Sequence, residues 1–174
     1  MHPRALVVAS AALISATAGC HMGLAMLAIG ADRSNGPYEA GAIATELGPA
    51  SVRPLACLDL GFAIDEDRGP LLDTHVGNRC VHGEPFDLAR LVLHGKDRDG
   101  GERIVRLVDP RQEIQRIHVG ALERGRERIR LEGLDDVVQV CFDLADVAPD
   151  APHARPLPLC LARGSEGWRG ESGS

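Results

Sequence analysis

Apolar and polar residues alternate with a period of two through the middle of this 174-residue chain. In the first such segment Leu58, Leu60, Phe62 and Ile64 are separated by single charged or small residues. Because successive side chains of a β-strand point to opposite faces, this pattern predicts a strand that buries one face. Helical periods are nearly absent, and residues 87–93 are the one stretch that fits a helix as well as a strand. The chain is therefore predicted to be all-β.

Six further segments show strand patterns and are separated by residues that favour turns. They are residues 71–79, 86–94, 103–108, 117–119, 129–131 and 138–144. The clearest turn is Asp97–Gly101, which ends in two glycines that tolerate a positive φ. In the third segment the apolar phase slips between Leu88 and Leu91, which predicts a bulge. Seven short strands within residues 55–148 favour a single immunoglobulin-like β-sandwich.

The flanks of this region differ from it in composition. The predicted divisions are a signal segment at residues 1–20, a flexible tether at 21–54, the β-sandwich domain at 55–148 and a Pro- and Gly-rich flexible tail at 149–174. Tyr38 and Trp168 fall in the flanks, so the aromatic residues predicted for the core are Phe62, Phe86 and Phe142.

The start of the chain predicts export. Met1–Arg4 supply a short positive end, and residues 5–31 carry no formal charge. An uncharged apolar run of this length targets a chain to a membrane.

Three fates of this segment remain open. Small residues at Ala16–Ala18 fit cleavage and release, whereas the apolar stretch through residues 21–29 fits an uncleaved membrane anchor. Thr17–Cys20 resembles the lipobox of bacterial lipoproteins, and this resemblance implies lipidation of Cys20. Lipidation is the fate we favour. All three place the domain in the bacterial cell envelope, either tethered to a membrane or periplasmic.

Four cysteines follow the leader: Cys57, Cys80, Cys141 and Cys160. An even number in an exported chain predicts disulfide bonds. A hairpin of the first two strands would bring Cys57 near Cys80, whereas the similar patterns around Cys57 and Cys141 would pair those two if the first and last strands were adjacent. The sequence leaves the pairing open. A zinc site is the less favoured alternative, because no Cys-x-x-Cys occurs and Cys80–His82 stands alone.

Turn motifs between residues 76 and 131 carry a resemblance to a known family. The motifs are Val76–Arg79, Pro85–Leu88, Asp97–Gly101 and Leu122–Gly125. They are similar to the secreted immunoglobulin-like domains of bacterial lipoproteins called telokin-like. The resemblance implies an immunoglobulin-like fold and an envelope location, and it supplies no catalytic residues.

Catalytic motifs are missing from the sequence. Gly-x-Ser-x-Gly does not occur, and all serines after the leader lie in the predicted tether or tail: Ser34, Ser51, Ser165, Ser172 and Ser174. A serine hydrolase would need its nucleophile on a rigid element beside a base. Phosphate-binding loops and dinucleotide motifs are absent too, so we expect neither a catalytic residue nor a cofactor. The formal net charge of −6 argues against a nucleic-acid partner.

Two weaker binding sites are considered. His75, His82 and His94 lie in or beside the second and third predicted strands and would form a metal site if those strands paired. Asp97, Asp99 and Glu102 offer oxygen ligands for Ca²⁺, but the hairpin interpretation of this segment is preferred.

Arg126, Arg128 and Arg130 alternate along one predicted strand and so share a face. They form either an anion- or partner-binding patch or, as we prefer, a solvated face.

The sequence thus favours a non-catalytic exported domain, tethered to the membrane by lipid or anchor, that binds an envelope protein or cell-wall component or has a structural role. The alternative is a periplasmic metal- or anion-binding protein that uses the histidines or the arginine strand.

Overall fold

The computed structural model describes residues 36–67, 69–108, 116–147 and 156–171. This part of the chain is built mainly of antiparallel strands with a few short helices, so the all-β prediction is confirmed. The predicted signal segment, including Cys20, lies outside the described residues. Within the described ranges, no helix has the length and apolar character needed to cross a membrane.

The strands and helices follow one another along the chain with short connections. The strands are β1 (Gly36–Pro37), β2 (Val52–Leu55), β3 (Leu58–Asp65), β4 (Leu71–Asn78), β5 (Glu84–Asp87), β6 (Leu93–Asp97), β7 (Glu102–Val108), β8 (Arg116–Val119), β9 (Glu123–Glu132), β10 (Val137–Asp143), β11 (Pro158–Gly164) and β12 (Gly167–Gly170). The α-helix α1 covers Ala42–Leu47, and 3₁₀-helices cover Pro49–Ser51, Leu88–Arg90 and Leu144–Asp146.

Most strands form one continuous antiparallel sheet. Its order is β12-β11-β10-β6-β7-β9-β4-β3-β2, with β1 added beside β9, while β5 and β8 form a separate two-stranded sheet. The two edges of the large sheet approach each other. Where they meet, the Gly170 amide donates a hydrogen bond to the Ser51 hydroxyl over 3.0 Å. The sheet is therefore rolled and nearly barrel-shaped.

The seven-stranded immunoglobulin-like sandwich is not confirmed. A sandwich needs two separate facing sheets. Here β7 pairs with both β6 and β9, and this joins the two halves of the molecule into one sheet.

The strand-rich body extends beyond the predicted boundaries at residues 55 and 148. On the N-terminal side, the predicted tether contributes α1 and β2, and Ile43 of α1 is fully buried over Gly61. On the C-terminal side, the predicted tail contributes β11 and β12, and Trp168 is buried in the core. The predicted tether and tail are both part of the fold for one reason: they supply apolar side chains that complete the rolled sheet.

The core lies inside the roll and contains all three predicted aromatic residues. Phe62 is at its centre, with its ring centroid 4.9 Å from that of Phe142 in an edge-to-face arrangement and 6.5 Å from that of Phe86. Leu, Val and Ile side chains from the surrounding strands fill the remaining space. Burial of these apolar surfaces is the main stabilising force of such a domain.

The predicted third strand is divided in two. The 3₁₀-helix Leu88–Arg90 separates β5 from β6, and the Asp87 carboxylate caps it by accepting from the Ala89 amide over 3.2 Å. This helix, not a bulge, explains the phase slip between Leu88 and Leu91. The Asp97–Gly101 hairpin forms as expected, with Oδ1 of Asp97 accepting from the Gly101 amide over 2.7 Å.

Candidate functional site

Two disulfide bonds join four of the five cysteines of the chain. Cys57 pairs with Cys80, and Cys141 pairs with Cys160. The first pair is the one that the hairpin arrangement of β3 and β4 suggested. The alternative pairing of Cys57 with Cys141 does not form, because Cys141 on β10 lies directly opposite Cys160 on β11.

The Cys57–Cys80 bond lies at the end of the β3–β4 pair. Cys57 is in the two-residue turn between β2 and β3, and Cys80 follows β4 after one intervening residue. The Arg79 amide donates to the Cys57 carbonyl over 2.8 Å, so backbone bonding also holds the two segments together. The backbone hydrogen bonds beside the disulfide therefore help to hold Cys57 and Cys80 close together.

Asn78, the last residue of β4, organises the loop that follows. Its fully buried carboxamide accepts from the Cys80 amide over 2.7 Å and donates to the His82 carbonyl over 2.8 Å. It also donates to the carbonyl oxygens of Val119 and Gly120 over 3.1 and 3.0 Å. One side chain therefore fixes the loop against the turn before β9.

The loop after β4 places a carboxylate and an imidazole beside the disulfide. Oε1 of Glu84 lies 3.8 Å from Sγ of Cys80. Nε2 of His82 lies 2.6 Å from the same oxygen, at a largely exposed position. Across the described ranges, Cys57, Cys80 and Glu84 are the one set of three or more potential metal-ligating residues whose ligand atoms lie within 4.8 Å of one another. We call Cys57, Cys80, His82 and Glu84 the loop cluster.

Glu84 belongs to the loop cluster, although the sequence did not identify it as part of a site. The signal was present, since Cys80, His82 and Glu84 are potential ligands at every second residue. Proximity to Cys57 could not be read from that spacing alone, because it depends on the turn between β2 and β3.

The three histidines of the predicted metal site are not brought together. His75 is fully buried on β4, His82 lies in the loop after it, and His94 is exposed on β6. Two strands, β7 and β9, separate β6 from β4 in the sheet. The second and third predicted strands do not pair, which was the condition for that site.

The arginine strand is β9, and its arginines share one face as predicted. It is an interior strand of the sheet, with β4 on one side and β7 and β1 on the other. Arg126 and Arg128 both bond to the buried carboxylate of Asp73 on β4, with Nε of Arg126 at 2.8 Å and Nε of Arg128 at 3.3 Å. Arg130 is exposed. Two of the three predicted binding arginines therefore neutralise a buried acid.

The Asp73 carboxylate is held in its charged form. Burial alone would raise its pKa, but the hydrogen bonds from Arg126 and the nearby His75 lower it, and the resulting pKa lies well below the usual range. Nε2 of His75 is 3.3 Å from Oδ1 of Asp73, and Nδ1 of His75 is 3.7 Å from Oε2 of Glu46. Glu46 belongs to α1, so this helix covers the polar cluster.

Tyr38 closes the same outer face of the sheet near Gly77. Its hydroxyl donates to Oδ2 of Asp59 over 2.7 Å, and its ring occupies the space that a side chain at position 77 would need. Burial, together with the bond to Asp59, raises the pKa of Tyr38 to about 12. The phenol therefore stays protonated at neutral pH and serves as a hydrogen-bond donor.

The described serines have structural positions. The Ser51 hydroxyl accepts the hydrogen bond from the Gly170 amide that joins the two edges of the sheet. Ser165 lies in the exposed turn between β11 and β12. Ser34, Ser172 and Ser174 lie outside the described residues.

No protein-family model, curated protein or solved structure matches the chain.

Proposed function

We propose that this protein is a non-catalytic domain of the bacterial cell envelope, tethered to a membrane by its first residues. Its role is to bind an envelope protein or a cell-wall component, or to stabilise an envelope structure. The observation that carries the proposal is the complete pairing of Cys57, Cys80, Cys141 and Cys160 in two disulfides. Disulfides persist in oxidising compartments and are rare in the cytosol.

The N-terminal sequence supports the same location independently. Residues 5–31 form a run without formal charge, as export signals and anchors require. A chain exported by such a segment reaches a compartment in which two disulfides are stable. Each bridge would contribute about 2–4 kcal/mol to stability, mainly by restricting the unfolded chain.

A binding or structural role fits the way in which the charged side chains are used. Asp73 is neutralised by Arg126 and Arg128, and Asp59 bonds to Tyr38 and lies 3.2 Å from Nε of Arg79. These contacts join β9 to β4, and they join the segments that follow β1 and β4 to β3. The groups are therefore committed to the fold, which favours a scaffold over a reaction centre.

Metabolic labelling with palmitate in the native host tests the tether. We expect label on the wild-type protein, and we expect the Cys20→Ser variant to lose both the label and its place in the membrane fraction. Cys57→Ser, which removes a cysteine from the folded domain, is the matched control and should keep the label. Label that persists after Cys20→Ser would exclude lipidation at that residue, and recovery of the wild-type protein from the cytosol would overturn the proposal.

We further propose that the rolled sheet derives from an immunoglobulin-like sandwich of the telokin-like type. The motifs behind the resemblance lie at the end of β4, along β5, in the β6–β7 hairpin and in the turn before β9. An experimental structure tests this. A strand order that matches that of a telokin-like domain would support it, and a different strand order would contradict it.

A further inference from the structure

The loop cluster contains four side chains that can bind a metal ion. Sγ of Cys57, Sγ of Cys80 and a carboxylate oxygen of Glu84 lie within 4.8 Å of one another, and His82 contacts the same carboxylate. Thiolate, imidazole and carboxylate are the donors that Zn²⁺ takes in proteins. We propose that the reduced form of the Cys57–Cys80 pair binds one Zn²⁺ together with Glu84 and His82, and that closing the disulfide releases the ion.

The spacing of the two sulfur atoms and the Glu84 oxygen suits a tetrahedral ion. Nε2 of His82, 2.6 Å from Oε1 of Glu84, would move away from that oxygen to become the fourth ligand. With Zn–S bonds near 2.3 Å and Zn–O bonds near 2.1 Å, neighbouring ligand atoms lie about 3.5–4 Å apart. Oε1 of Glu84 is 3.8 Å from Sγ of Cys80. Opening the bridge would let the two sulfur atoms separate to the same distance. The Cα atoms of Cys57 and Cys80, 5.5 Å apart, would need little movement.

The loop that carries three of the ligands is fixed independently of the bridge. Asn78 bonds to the backbone of both Cys80 and His82, and the Arg79 amide bonds to the Cys57 carbonyl. Breaking the sulfur–sulfur bond leaves these hydrogen bonds in place. The reduced pair would therefore remain near Glu84, and a site that is already organised binds a metal more strongly than one that must be ordered.

Glu84 has a use in the reduced state that it lacks in the oxidised state. A disulfide sulfur has no proton to donate, so the carboxylate gains no hydrogen bond from Cys80 while the bridge is closed. Two thiolates beside a carboxylate would repel one another, and a divalent cation would remove that repulsion. The Cys141–Cys160 bridge is not part of such a group within the described ranges. It therefore provides an internal control.

The chemistry of the switch balances with a dithiol as the reductant. Two thiol groups of the donor supply two electrons and two protons, the Cys57–Cys80 bond breaks, and the donor becomes a disulfide. Zn²⁺ then displaces the two thiol protons as it binds the thiolates. Reoxidation by a disulfide re-forms the bridge and frees the ion. The proposal goes beyond the envelope role and does not depend on which partner the domain has.

Zinc titration of the purified protein with and without a phosphine reductant tests the proposal. We expect one equivalent of Zn²⁺ per chain after reduction and none before it. Cys57→Ser and Cys80→Ser should each abolish binding, whereas the Cys141→Ala/Cys160→Ala double variant should keep it. Glu84→Gln and His82→Ala should weaken binding at least tenfold. Their matched controls, Glu102→Gln and His94→Ala on the exposed surface, should bind as the wild type does.

Co²⁺ in place of Zn²⁺ gives a second readout, because thiolate ligation produces a sulfur-to-metal absorption band. Circular dichroism monitors the fold throughout. A reduced protein that keeps its strand signal before Zn²⁺ is added and then binds the ion supports the proposal, since the loop is then already in place. Binding without reduction, absence of binding by the reduced protein, or equal affinity in Glu84→Gln and Glu102→Gln would overturn it.

Discussion

The buried carboxamide of Asn78 donates to the carbonyl oxygen of His82 over 2.8 Å, and this bond ties the end of β4 to the loop that carries Cys80, His82 and Glu84. The same side chain bonds to the turn before β9. One residue thus joins two loops at the end of the sheet where the Cys57–Cys80 bridge lies.

Replacement of Asn78 by Ala should lower the free energy of unfolding by about 3 kcal/mol, because several buried backbone groups would lose their partner. Urea denaturation measures the loss. Gln139→Ala is the control, since that carboxamide makes an exposed bond to Glu171 and its removal should cost less than about 1 kcal/mol. Equal effects of the two substitutions would contradict the role given to Asn78.

Asp73→Asn should destabilise the protein by about 3 kcal/mol at pH 7, because it leaves Arg126 and Arg128 facing a neutral group in a partly buried site. The pKa of Asp73 is lowered in the folded state, so its contribution is present above its unfolded pKa near 4 and is lost as the pH falls below that value. The wild-type protein should therefore lose more stability on acidification than Asp73→Asn does. Denaturation at a series of pH values measures this, with Asp135→Asn at an exposed turn as the control. Parallel pH profiles for wild type and Asp73→Asn would be inconsistent with the ion cluster.

Tyr38 should titrate at about pH 12, and its ionisation can be followed by absorbance because the chain has a single tyrosine. A folded pKa above the unfolded value of 10.0 means that this stability is fully present below pH 10 and is lost as the pH rises towards 12. Asp59→Asn should move the titration of Tyr38 back towards 10, and Asp99→Asn in the exposed hairpin should not. An unperturbed phenol in the wild-type protein would contradict the Tyr38–Asp59 contact.

Chain truncation after residue 155 should abolish cooperative unfolding, because it removes β11, β12 and the partner of Cys141. Truncation after Glu171 should leave the unfolding transition intact.

In the full chain the single tryptophan, Trp168, is 8% exposed and should be protected from quenching by iodide. A stable protein lacking residues 156–171, or free quenching of Trp168, would restore the interpretation of this segment as a tail.

Local patterns predicted the parts of the fold that depend on neighbouring residues. Alternation located β3 and β4, and the Asp97–Gly101 turn located the β6–β7 hairpin. Phe62, Phe86 and Phe142 were identified as core residues because they are the aromatic residues of the alternating segments. These features follow from backbone geometry and side-chain polarity within a few residues.

The closure of the sheet could not be predicted in the same way. The alternation of Leu159 and Leu161 is short and lies in a Pro- and Gly-rich segment, so composition concealed a strand whose stability comes from β10 and the Cys141–Cys160 bond. The helix α1 likewise lies in the segment predicted as a flexible tether, and it is held in the fold by Ile43, which fills the space that Gly61 leaves. Tertiary packing overrides weak local preference at both places.

In the candidate sites, too, features that depend on neighbouring residues could be predicted and features that depend on tertiary packing could not. The shared face of Arg126 and Arg128 was predictable from a period of two, but their pairing with Asp73 depends on the register between β4 and β9. The loop cluster depends on the turn that returns Cys57 to the end of β4. Register and chain reversal are properties of the whole sheet and leave little trace in the sequence of one strand.

Thiol mapping of the protein from its native host tests whether this domain lies outside the cytosol with its cysteines paired. Cells are treated with an alkylating reagent before lysis, and the peptides are analysed by mass spectrometry without reduction. We expect disulfide-linked Cys57–Cys80 and Cys141–Cys160 peptides from the envelope fraction. Any alkylated cysteines should be Cys57 and Cys80. Alkylation of all four cysteines in protein recovered from the cytosol would contradict it.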